Sequence, residues 1–520
     1  MKNKKYWLGL ALMSWASHAF AQNEADALRY SQLQFGGPAR TQAIGGANVA
    51  VGADLGSLVS NPAGLGLYQK SEISFTPGYS TNNTSSTGIG SKSTDSRNNL
   101  SVMSFGAAFA NRRPDNDDSN WRGGTFALGL NRINDFNSRF NYRGTVANNR
   151  SLFEYLRQAP RKSYDGILDQ YDAREYTDLD GLAYGTSLTN LEPAYRNGPD
   201  TIVTTLESGA VAQNEYVLTK GSQTQFDFGY GASYRDKLYI GFGLGIVSTR
   251  FDRTSVQDGA GTEPSSGNIP TRETTYSLRD DLSTRGSGFN LRIGAIYRAS
   301  DFVRFGASVQ TPTFMRLRDN YSTSLSTTFS PALIYRDANG NVNSTVASAS
   351  ESTPSNEYTY NLTTPFRASG GVAVTIGKYG FLSGDVEYVN YGQAKLSDDN
   401  TNSGNTSGNS YDLENQTVKD LYRSAVNLRI GGEARYDIFR FRLGYARYGD
   451  PYKVNDFDRT QNHFTGGLGL RQNSFFLDLA GVYSTSNLYY NPYTLNGGAE
   501  PVIAVNRNRF TTSATIGFTF

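Results

Sequence analysis

The end of the chain alternates between apolar or bulky residues and small polar residues. In such a stretch, successive side chains point to opposite faces of a β-strand. One face carries Phe510, Thr512, Ala514, Ile516, Phe518 and Phe520, and the other carries Thr511, Ser513, Thr515, Gly517 and Thr519. Because one face suits lipid and the other suits water, the pattern predicts a transmembrane β-strand.

The same alternation recurs upstream, with charged residues on the polar face. Val426, Leu428 and Ile430 stand opposite Asn427 and Arg429, and Phe439, Phe441 and Leu443 stand opposite Arg440 and Arg442. Charged side chains are costly in hydrocarbon, so we expect Arg429, Arg440 and Arg442 to line a lumen. We expect Asp385 and Glu387 to face the lumen as well and to pair with arginines such as Arg429 and Arg440.

Fourteen stretches of this kind occur along the chain, and an even number is usual for single-chain bacterial barrels. They begin near Ser71, Asn98, Gly123, Gln223, Lys237, Arg285, Asp301, Tyr360, Tyr379, Arg423, Ile438, Gln461, Ser474 and Asn508. We therefore predict an all-β membrane protein, in which residues 71–520 form a fourteen-stranded antiparallel transmembrane β-barrel.

The connections between these stretches alternate in length. Tight turns fall at Arg235–Asp236, Ala299–Ser300, Gly377–Lys378, Tyr436–Asp437 and Gln472–Asn473, and a modest connection runs from Asn111 to Asn120. Long loops run from Thr81 to Arg97, Phe136 to Ser222, Asp252 to Thr284, Ser322 to Tyr358, Ala394 to Leu421, Gly449 to Thr460 and Asn487 to Arg507. Outer-membrane barrels have short periplasmic turns and long external loops, so we expect both chain ends in the periplasm. A secreted β-sandwich or propeller is the alternative, but those folds lack a one-sided bias in loop length.

The first residues have the features of an export signal. Lys2, Lys4 and Lys5 precede an apolar run from Tyr6 to Trp15, and Ala19–Phe20–Ala21 matches the small-x-small cleavage pattern. We expect residues 1–21 to be removed before Gln22 and the mature chain to reach the bacterial outer membrane. No later stretch approaches the roughly 18 to 20 apolar residues that a membrane helix needs, so a membrane protein here must cross with strands.

Composition narrows the function classes. Removing the three signal lysines leaves 49 − 3 = 46 basic residues against 47 acidic ones, a net charge of 46 − 47 = −1. This balance argues against nucleic-acid binding. The absence of cysteine excludes thiolate metal sites, thiol nucleophiles and disulfides, and we expect no metal or cofactor. The mean hydropathy of −0.49, with 55 Gly, 34 Tyr and 29 Phe, suits a large barrel with a polar lumen and tyrosine-rich interface belts.

An outer-membrane lipid hydrolase is an alternative that would keep the barrel. Such chemistry usually needs histidine as a general base, and of the 2 histidines His18 lies in the export signal. The other, His463, stands alone and is expected to be an interfacial aromatic. We therefore expect no catalytic residue and no enzyme activity.

Residues 22–70 do not alternate as the strands do. Small residues such as Gly46 and Ala47 dominate this segment, so its backbone can approach a surrounding wall closely. Asp54 is expected to cap a short helix through Ser60, and proline at 62 pushes Asn61 out of helical conformation and ends that helix. We predict a compact plug beneath or within the barrel. In isolation, the Asn-Pro-Ala step is compatible with a simple turn.

These features together resemble the FadL/TodX family of outer-membrane fatty-acid and hydrocarbon transporters. The resemblance rests on Gly46–Ala47, Ala53–Asp54, Ser57 and Asn61–Pro62–Ala63 ahead of the first strand, and on the strand that ends at Phe520. It implies passive uptake of a hydrophobic small molecule, with an external capture site, a hatch that shifts, and exit through a gap in the barrel wall toward the bilayer. The terminal phenylalanine resembles the signal that barrel-assembly machinery recognises. We expect a monomer in outer-membrane lipids, and fatty acids, aromatic hydrocarbons and haem all stay open as substrates.

The third predicted strand contains an irregularity. Phe126, Leu128 and Leu130 face lipid, but the next apolar residue is Ile133, so the phase slips by one at Asn131–Arg132. A bulge or inward kink would produce this slip and could open a side portal. Alternatively, a strand that begins near Trp121 has crossed the membrane by this point.

In a third class of function, the protein has the same fold but does not transport a ligand. Some proteins that resemble FadL serve as anchors or shuttles in protein secretion, or bind partners at the surface. The loop from Phe136 to Ser222 is large enough to bind a protein, and it can equally form the rim of a ligand funnel or a solvated surface. It contains Tyr155, Tyr164, Tyr171, Tyr176, Tyr184 and Tyr195.

Overall fold

The computed structural model describes residues 24–114, 116–158, 163–192, 201–265, 271–337, 339–398 and 411–520. The predicted export signal, residues 1–21 with cleavage before Gln22, and Tyr195 lie outside the described residues. Within them, no helix combines the length and the apolar character that a membrane crossing requires.

The elements are as follows. The strands are β1 (Glu72–Thr87), β2 (Ser93–Arg112), β3 (Trp121–Asp135), β4 (Ser138–Ala147), β5 (Thr189–Glu192), β6 (Thr201–Thr204), β7 (Ala210–Tyr234), β8 (Leu238–Glu263), β9 (Arg272–Arg298), β10 (Val303–Gln310), β11 (Phe314–Arg336), β12 (Val342–Ser352), β13 (Asn356–Thr363), β14 (Arg367–Thr375), β15 (Gly380–Asn390), β16 (Lys395–Asp398), β17 (Ser424–Tyr436), β18 (Phe439–Tyr448), β19 (Gln461–Gln472), β20 (Phe475–Tyr490) and β21 (Ile503–Thr519). The α-helices are α1 (Glu24–Ser31), α2 (Ala39–Ala43), α3 (Leu152–Arg157), α4 (Tyr164–Ala173), α5 (Leu179–Gly185) and α6 (Asp412–Leu421). Short 3₁₀ helices cover Leu55–Leu58, Pro62–Leu67, Asn148–Arg150 and Tyr391–Gln393.

Fourteen of the described strands close an antiparallel barrel, as predicted. Around the ring they follow the order β1, β2, β3, β7, β8, β9, β10, β14, β15, β17, β18, β19, β20 and β21. The last strand pairs with the first from Glu72↔Thr519 to Thr87↔Ala504. Ser71 and Phe520 exchange two backbone hydrogen bonds of 3.0 Å at the seam. Closure satisfies the backbone groups that an open edge would leave unpaired in hydrocarbon, at several kcal/mol each.

The alternating side chains divide as predicted between lipid and lumen. On β17, Val426, Leu428 and Ile430 are 49, 46 and 62% exposed, whereas Asn427 and Arg429 are 2 and 9% exposed. An exposed apolar face on every wall strand gives the outside of the barrel the apolar band that a bilayer requires.

The two ends of the barrel differ in their connections. At the short-turn end, the strands are joined by the turns at residues 235–237, 299–302, 376–379, 437–438 and 473–474 and by residues 113–120. Arg235 and Asp236 both have positive φ, 53° and 52°, as the two central residues of a turn that follows the sheet twist require, and the Lys237 amide closes that turn on Tyr234 O at 3.1 Å. The opposite, long-loop end carries all remaining connections.

Much of the sequence predicted to form loops at the long-loop end continues the strands instead. β8 and β9 are 26 and 27 residues long, and they pair without interruption from Leu238↔Tyr297 to Glu263↔Arg272. Beyond the apolar band the outward residues of the hairpin, such as Ser277, Arg279 and Asp281 of β9, are polar, so the lipid-facing pattern ends while the backbone ladder goes on. The predicted loops Thr81–Arg97, Asp252–Thr284 and Ser322–Tyr358 are therefore largely paired strands.

The segment between β3 and β7 forms an outer domain with its own apolar core. β4, α3, α5 and the outer ends of β7, β9 and β11 contribute Phe140, Phe153, Leu182, Tyr276 and Leu325, each under 5% exposed. Of the tyrosines predicted to line a binding surface here, Tyr176 is buried in this core, whereas Tyr171 is 46% exposed.

Two neighbouring wall strands are interrupted by proline. Pro312 separates β10 from β11, and Pro365 separates β13 from β14. β11 nevertheless resumes the pairing with β9 that β10 began. The Thr364 amide donates to the Thr313 carbonyl at 3.0 Å, and the Thr313 amide donates to the Thr364 hydroxyl at 2.9 Å. The wall therefore bends at this point and stays closed.

Candidate functional site

Residues 24–70 fill the lumen and are named the hatch below. The chain runs from α1 through α2 and the two 3₁₀ helices to β1. Small residues along it are fully enclosed: Ala39, Ala43, Ala47, Ala50 and Ala63 are all 0% exposed. Barrel wall and hatch therefore pack as one body, and the lumen is not an open aqueous channel.

The outer half of the lumen holds α1 and buries a large apolar cluster, with the carboxylates of Asp26 and Asp319 beside it. Ala27, Leu28 and Tyr30 of this helix are buried. The ring of Tyr30 meets those of Phe136 and Phe251 edge to face, with centroids 5.9 and 6.4 Å away. The wall of this outer chamber is built from Val247, Phe251, Leu282, Met315, Leu317, Tyr360, Leu362, Val389, Leu396 and Tyr422. Such a surface suits an apolar ligand as well as it suits the helix that covers it.

The Asn-Pro-Ala motif lies against the inner wall. Asn61 caps the 3₁₀ helix that starts at Pro62, because its side-chain oxygen accepts from the Ala63 amide at 3.1 Å. Its side-chain nitrogen donates to Val49 O at 2.7 Å and to Ala295 O of β9 at 3.2 Å. Asn61 thereby ties two parts of the hatch to one wall strand.

Glycines in the wall make room for this motif. A Cβ at position 241 would overlap the carbonyl carbon of Pro62, and one at position 294 would overlap the side-chain oxygen of Asn61. Gly241 and Gly294 therefore allow the hatch backbone to lie directly on the strands, which any larger residue would prevent.

Asp54 does not cap a helix, and that prediction is wrong. It occupies the N-cap position of Leu55–Leu58, but its side chain makes no cap hydrogen bond. Its carboxylate instead accepts from Thr41 Oγ1 and Asn48 Nδ2, both at 3.0 Å, and lies 3.5 Å from Arg40. These partners come from earlier turns of the hatch, so Asp54 holds the hatch to itself. Ser57 is fully buried nearby, and its hydroxyl has no hydrogen-bond partner in the described structure.

The charged lumen residues bind groups of the hatch as well as one another. Glu387 pairs with Arg429 and with Arg367, each at 3.1 Å. Asp385 pairs with no arginine within the described part of the chain; its carboxylate accepts from the Val49 amide at 2.9 Å. The predicted pairing of Asp385 is therefore wrong.

The predicted pairing of Arg440 with an acidic lumen residue is also wrong. This residue lies at the short-turn end, where its guanidinium donates to the carbonyls of Asp437 and Phe439, and no carboxylate pairs with it among the described residues. Arg442 is buried instead between Glu433 and Asp478, each at 2.7 Å. Arg442 is thus part of a network of buried ion pairs on the wall, whereas Arg440 lies at the rim of the barrel.

Several wall residues that sequence reasoning missed satisfy the hatch backbone. Because the hatch is irregular, its buried amides and carbonyls need partners from outside. Arg292 donates to Leu58 O at 2.5 Å and Thr465 donates to Ala43 O at 2.8 Å, while Thr515 accepts from the Ala39 amide at 2.7 Å. The only signal in the sequence was their place on the polar face of a strand, which does not distinguish them from residues that face water.

The wall loses its ladder between β2 and β3. Their pairing ends at Ser104↔Asn131, and β3 then turns inward, with a register shift against β7 between Arg132 and Asn134. The shift therefore falls just after the predicted Asn131–Arg132 step. Ile133 points into the lumen at 5% exposed, and its carbonyl accepts from the Gln34 amide of the hatch at 2.9 Å.

Above this point side-chain contacts span the gap, and a backbone bond returns only beyond its outer end, where the Thr145 amide donates to Ile89 O at 3.1 Å. Asn131 still accepts from Ser104 at 2.9 Å, but beyond it the links are polar side-chain contacts. Asp95 of β2 accepts from Arg139 at 2.6 Å and from Asn141 at 3.2 Å, and Asn99 approaches Asp135 at 3.4 Å. We call the space between β2 residues 93–103 and the chain from Arg132 to Asn141 the wall gap.

Two small cavities lie between the hatch and the wall, and the second of them is on the side of the wall gap. One of about 70 Å³ is bounded by Phe35, Ile133 and Arg292, and one of about 40 Å³ is bounded by Phe35, His463, Met103 and Arg132. Pockets for small ligands usually have volumes of about 300–1,000 Å³. Neither cavity therefore has room for a small-molecule ligand.

His463 is not an interfacial aromatic, so that prediction is wrong. The side chain lies in the lumen, 4% exposed, with its ring 5.2 Å from that of Phe35 and 5.0 Å from that of Tyr448. Its Nδ1 is 2.7 Å from the Ser484 hydroxyl. In the described residues, no cluster of three or more histidine or acidic side chains is arranged to hold a metal ion.

No protein-family model matches the sequence, and no curated protein sequence matches it. Solved structures do match. A FadL homologue from Pseudomonas aeruginosa aligns over 93% of this chain and 98% of its own, with 13% identity and a TM-score of 0.50. The P. putida toluene transporter TodX (13% identity, 94 and 99% covered, TM-score 0.49) and the Ralstonia pickettii toluene transporter TbuX (15%, 94 and 99%, 0.48) also align. The likeness to the P. aeruginosa protein, together with the closed fourteen-stranded ring, establishes that this chain has the FadL-type β-barrel fold.

Proposed function

We propose that the protein takes up hydrophobic small molecules, such as long-chain fatty acids or aromatic hydrocarbons, across the bacterial outer membrane. In this proposal the ligand enters the outer chamber, passes the hatch when it shifts, and leaves sideways through the wall gap. The observation that carries it is the junction at Ile133, where the strand that leaves the wall contacts the hatch.

The outer chamber supports the choice of an apolar ligand. A general porin keeps its lumen polar and water-filled, whereas here the outer lumen buries Phe251, Leu317 and Leu362 around α1. Withdrawal of this helix would expose an apolar surface inside the barrel, and a hydrophobic molecule would lower the free energy of that surface by about 25 cal/mol per Å² covered.

The wall gap supports sideways exit. The edge of β2 beyond Ser104 has no ladder partner in the described chain, since β4 reaches it through side-chain contacts, and Leu100 and Val102 of this stretch are 80 and 40% exposed to the outside. An apolar outer face beside an unpaired edge lets a hydrophobic molecule enter the bilayer without crossing the polar short-turn end.

The hatch motif provides the first test. Replacing Asn61 and Pro62 together by alanine removes the cap and the link to Ala295, but it leaves every wall ladder intact. We expect normal amounts of heat-modifiable barrel in the membrane and an altered rate of oleate uptake by cells, with toluene as a second substrate. The matched control replaces Asn491 and Pro492, an Asn-Pro step in the loop between β20 and β21, and should transport like the parent.

Conductance provides an independent readout. The purified protein in a planar bilayer should conduct near the baseline, because the hatch fills the lumen, and the Asn61/Pro62 variant should conduct more. Unchanged uptake by a well-assembled variant, or a large steady conductance in the parent, would contradict the proposal.

A surface-binding or secretion role is the second candidate, favoured by the outer domain. Its separate core, which includes Phe153 and Leu182 at 0% exposed, is more than a ligand funnel needs. Replacing residues 148–209 by a short linker should leave uptake measurable if the protein is a transporter. A variant that still transports, but has lost a surface partner, would assign the domain to that second role.

A further inference from the structure

A cavity of about 360 Å³ opens at the short-turn end, on the side of the hatch away from the outer chamber. The hatch forms its roof with Val51 and Leu67, and the inner ends of the wall strands form its sides. Its volume lies within the usual range of about 300–1,000 Å³ for small-ligand sites. The transport route proposed above does not use it.

The lining of this short-turn cavity is strongly basic. Asp236 is its single acidic residue within the described part of the chain. Its basic residues are Arg40, Arg112, Arg298, Arg304 and Arg435. A concave site lined by one sign of charge focuses the field and attracts the opposite ion, so the cavity favours an anion.

The neighbouring carboxylates offset this lining only in part, although Asp54 lies 3.5 Å from Arg40 and Asp301 lies 2.8 Å from Arg298. Asp236 is held by Arg112, whose two guanidinium nitrogens lie 3.0 and 2.7 Å from its oxygens. Glu433 is shared by Arg40 at 3.5 Å and by Arg435 and Arg442 at 2.7 Å each. One carboxylate thus serves three guanidinium groups.

Arg304 is the least compensated of these residues. Within the described chain it pairs with no carboxylate, and its guanidinium donates only a long hydrogen bond of 3.4 Å to Val51 O of the hatch. Arg40 likewise donates to the hatch carbonyls Gly52 O at 3.4 Å and Ala53 O at 3.0 Å. Carbonyl oxygens are weaker partners for guanidinium than an anion is, so both groups have capacity for one.

The cavity also has an apolar side. Ala373 and Phe381, 3 and 5% exposed, pack against Val51 of the hatch. The guanidinium carbons of Arg40 and Arg435 lie 5.8 and 6.0 Å from the centre of the Phe381 ring, where cation–π attraction holds them at the cavity edge. A ligand would therefore meet guanidinium groups on one side and hydrocarbon on the other.

We propose that the short-turn cavity is a binding site for a small amphipathic oxyanion, a carboxylate or phosphate ester with a short apolar body. The oxyanion contacts Arg304 and Arg40, and the apolar body lies on Phe381. Because the hatch supplies Arg40 and the roof, the site senses the position of the hatch from the side opposite the outer chamber. Binding here does not require that the protein transports anything.

The test is calorimetric titration of the purified full-length protein in a non-ionic detergent. The probes are hexanoate, inorganic phosphate and 1-hexanol, which separate the amphiphile from its charge and from its chain. We expect hexanoate to bind, phosphate to bind more weakly and hexanol not to bind above its partition into detergent. Phosphate binding as tightly as hexanoate would overturn the assignment to an amphiphile, and binding of hexanol as tight as that of hexanoate would overturn the assignment to an anion.

Three variants locate the site. Arg304→Gln should weaken hexanoate binding about ten-fold, the effect of losing one charge-assisted hydrogen bond. Asp236→Asn removes the competing carboxylate, and asparagine tolerates the positive φ of 52° at this turn, so binding should tighten. Arg318→Gln, on an exposed outer part of β11, is the matched control and should bind like the parent. Equal effects of Arg304→Gln and Arg318→Gln on hexanoate binding would overturn the proposal. Weaker binding by Asp236→Asn would overturn it as well, and this second result does not depend on whether Arg304→Gln folds.

Discussion

The strands of the barrel wall are interrupted at two places, and strand pairing resumes directly after only one of them. At Pro312 and Pro365 the strands break, but the amide and carbonyl of Thr313 both bond to Thr364, and β11 pairs with β9 again at once. At Asn131 the pairing of β2 with β3 stops and does not resume, because β3 turns inward and continues with β7 alone.

The difference lies in which groups carry the connection. A backbone bond across a break restores the ladder, so the proline break is a bend in a continuous wall. Side-chain contacts such as those of Asp95 and Asn99 hold two segments near each other without restoring it. Side-chain contacts at a partly exposed site contribute only about 0.2–1 kcal/mol each, so we expect the wall gap to open more easily than the proline break.

The largest expected difference is in amide exchange. The amides of residues 93–102 that face away from β1 have no ladder partner, whereas those of β11 are paired on both sides over Phe314–Tyr321. The former should exchange on the order of a thousand-fold faster, since ladder amides open only with a substantial part of the global stability. Exchange followed by NMR in lipid nanodiscs measures this ratio, and equal protection of the two groups would show that the gap is sealed.

A smaller effect is expected when one side-chain link is removed. Asp95→Ala deletes the carboxylate that accepts from Arg139 and Asn141, so the gap should open about five-fold more often, as the loss of about 1 kcal/mol predicts. The rate at which a maleimide labels cysteine at position 101 reports this opening, in a chain that has no other cysteine. Glu357→Ala is the control, because it removes an exposed pair with Arg318 on paired strands. Labelling rates that do not differ would assign the contacts of Asp95 no part in closing the gap.

The smallest effect is expected at the proline break. Pro312→Ala and Pro365→Ala leave the bonds between Thr313 and Thr364 in place, so uptake should stay within two-fold of the parent and stability should change by about 1 kcal/mol or less. Heat-modifiable mobility and oleate uptake check this. A large loss of uptake in either variant would make the bend, and not the gap, the sensitive part of the wall.

The sequence predicts the wall far better than it predicts the hatch and its partners. In an alternating strand such as Val426–Ile430, the residue types themselves indicate which side chains face lipid and which face the lumen. The orientation of the strand could therefore be predicted from its own sequence. Asp54 illustrates the opposite case. As an N-cap candidate it looked local, but Thr41 and Asn48 compete for its carboxylate once the hatch folds on itself.

Lumen residues are hard to assign for a related reason. Asp385, Arg292 and Arg440 all alternate with apolar neighbours, yet one binds a hatch amide, one binds a hatch carbonyl, and one lies at the rim. The pattern marks the polar face, but the partner on that face comes from a segment hundreds of residues away. Strand ends beyond the membrane were missed because their outward faces are polar, which removes the lipid-facing period that reveals a membrane strand.

Cross-linking across the two interruptions tests sideways exit most directly. Cysteines at positions 99 and 135 lie across the wall gap, where the native side chains approach to 3.4 Å, and cysteines at 313 and 364 lie across the proline break. A short, reducible bis-thiol reagent is applied to cells that express each variant, and oleate uptake is measured before cross-linking, after it and after reduction. The account predicts that the first cross-link stops uptake, that reduction restores it, and that the second cross-link has no effect. Undiminished uptake with the gap fully cross-linked would contradict it.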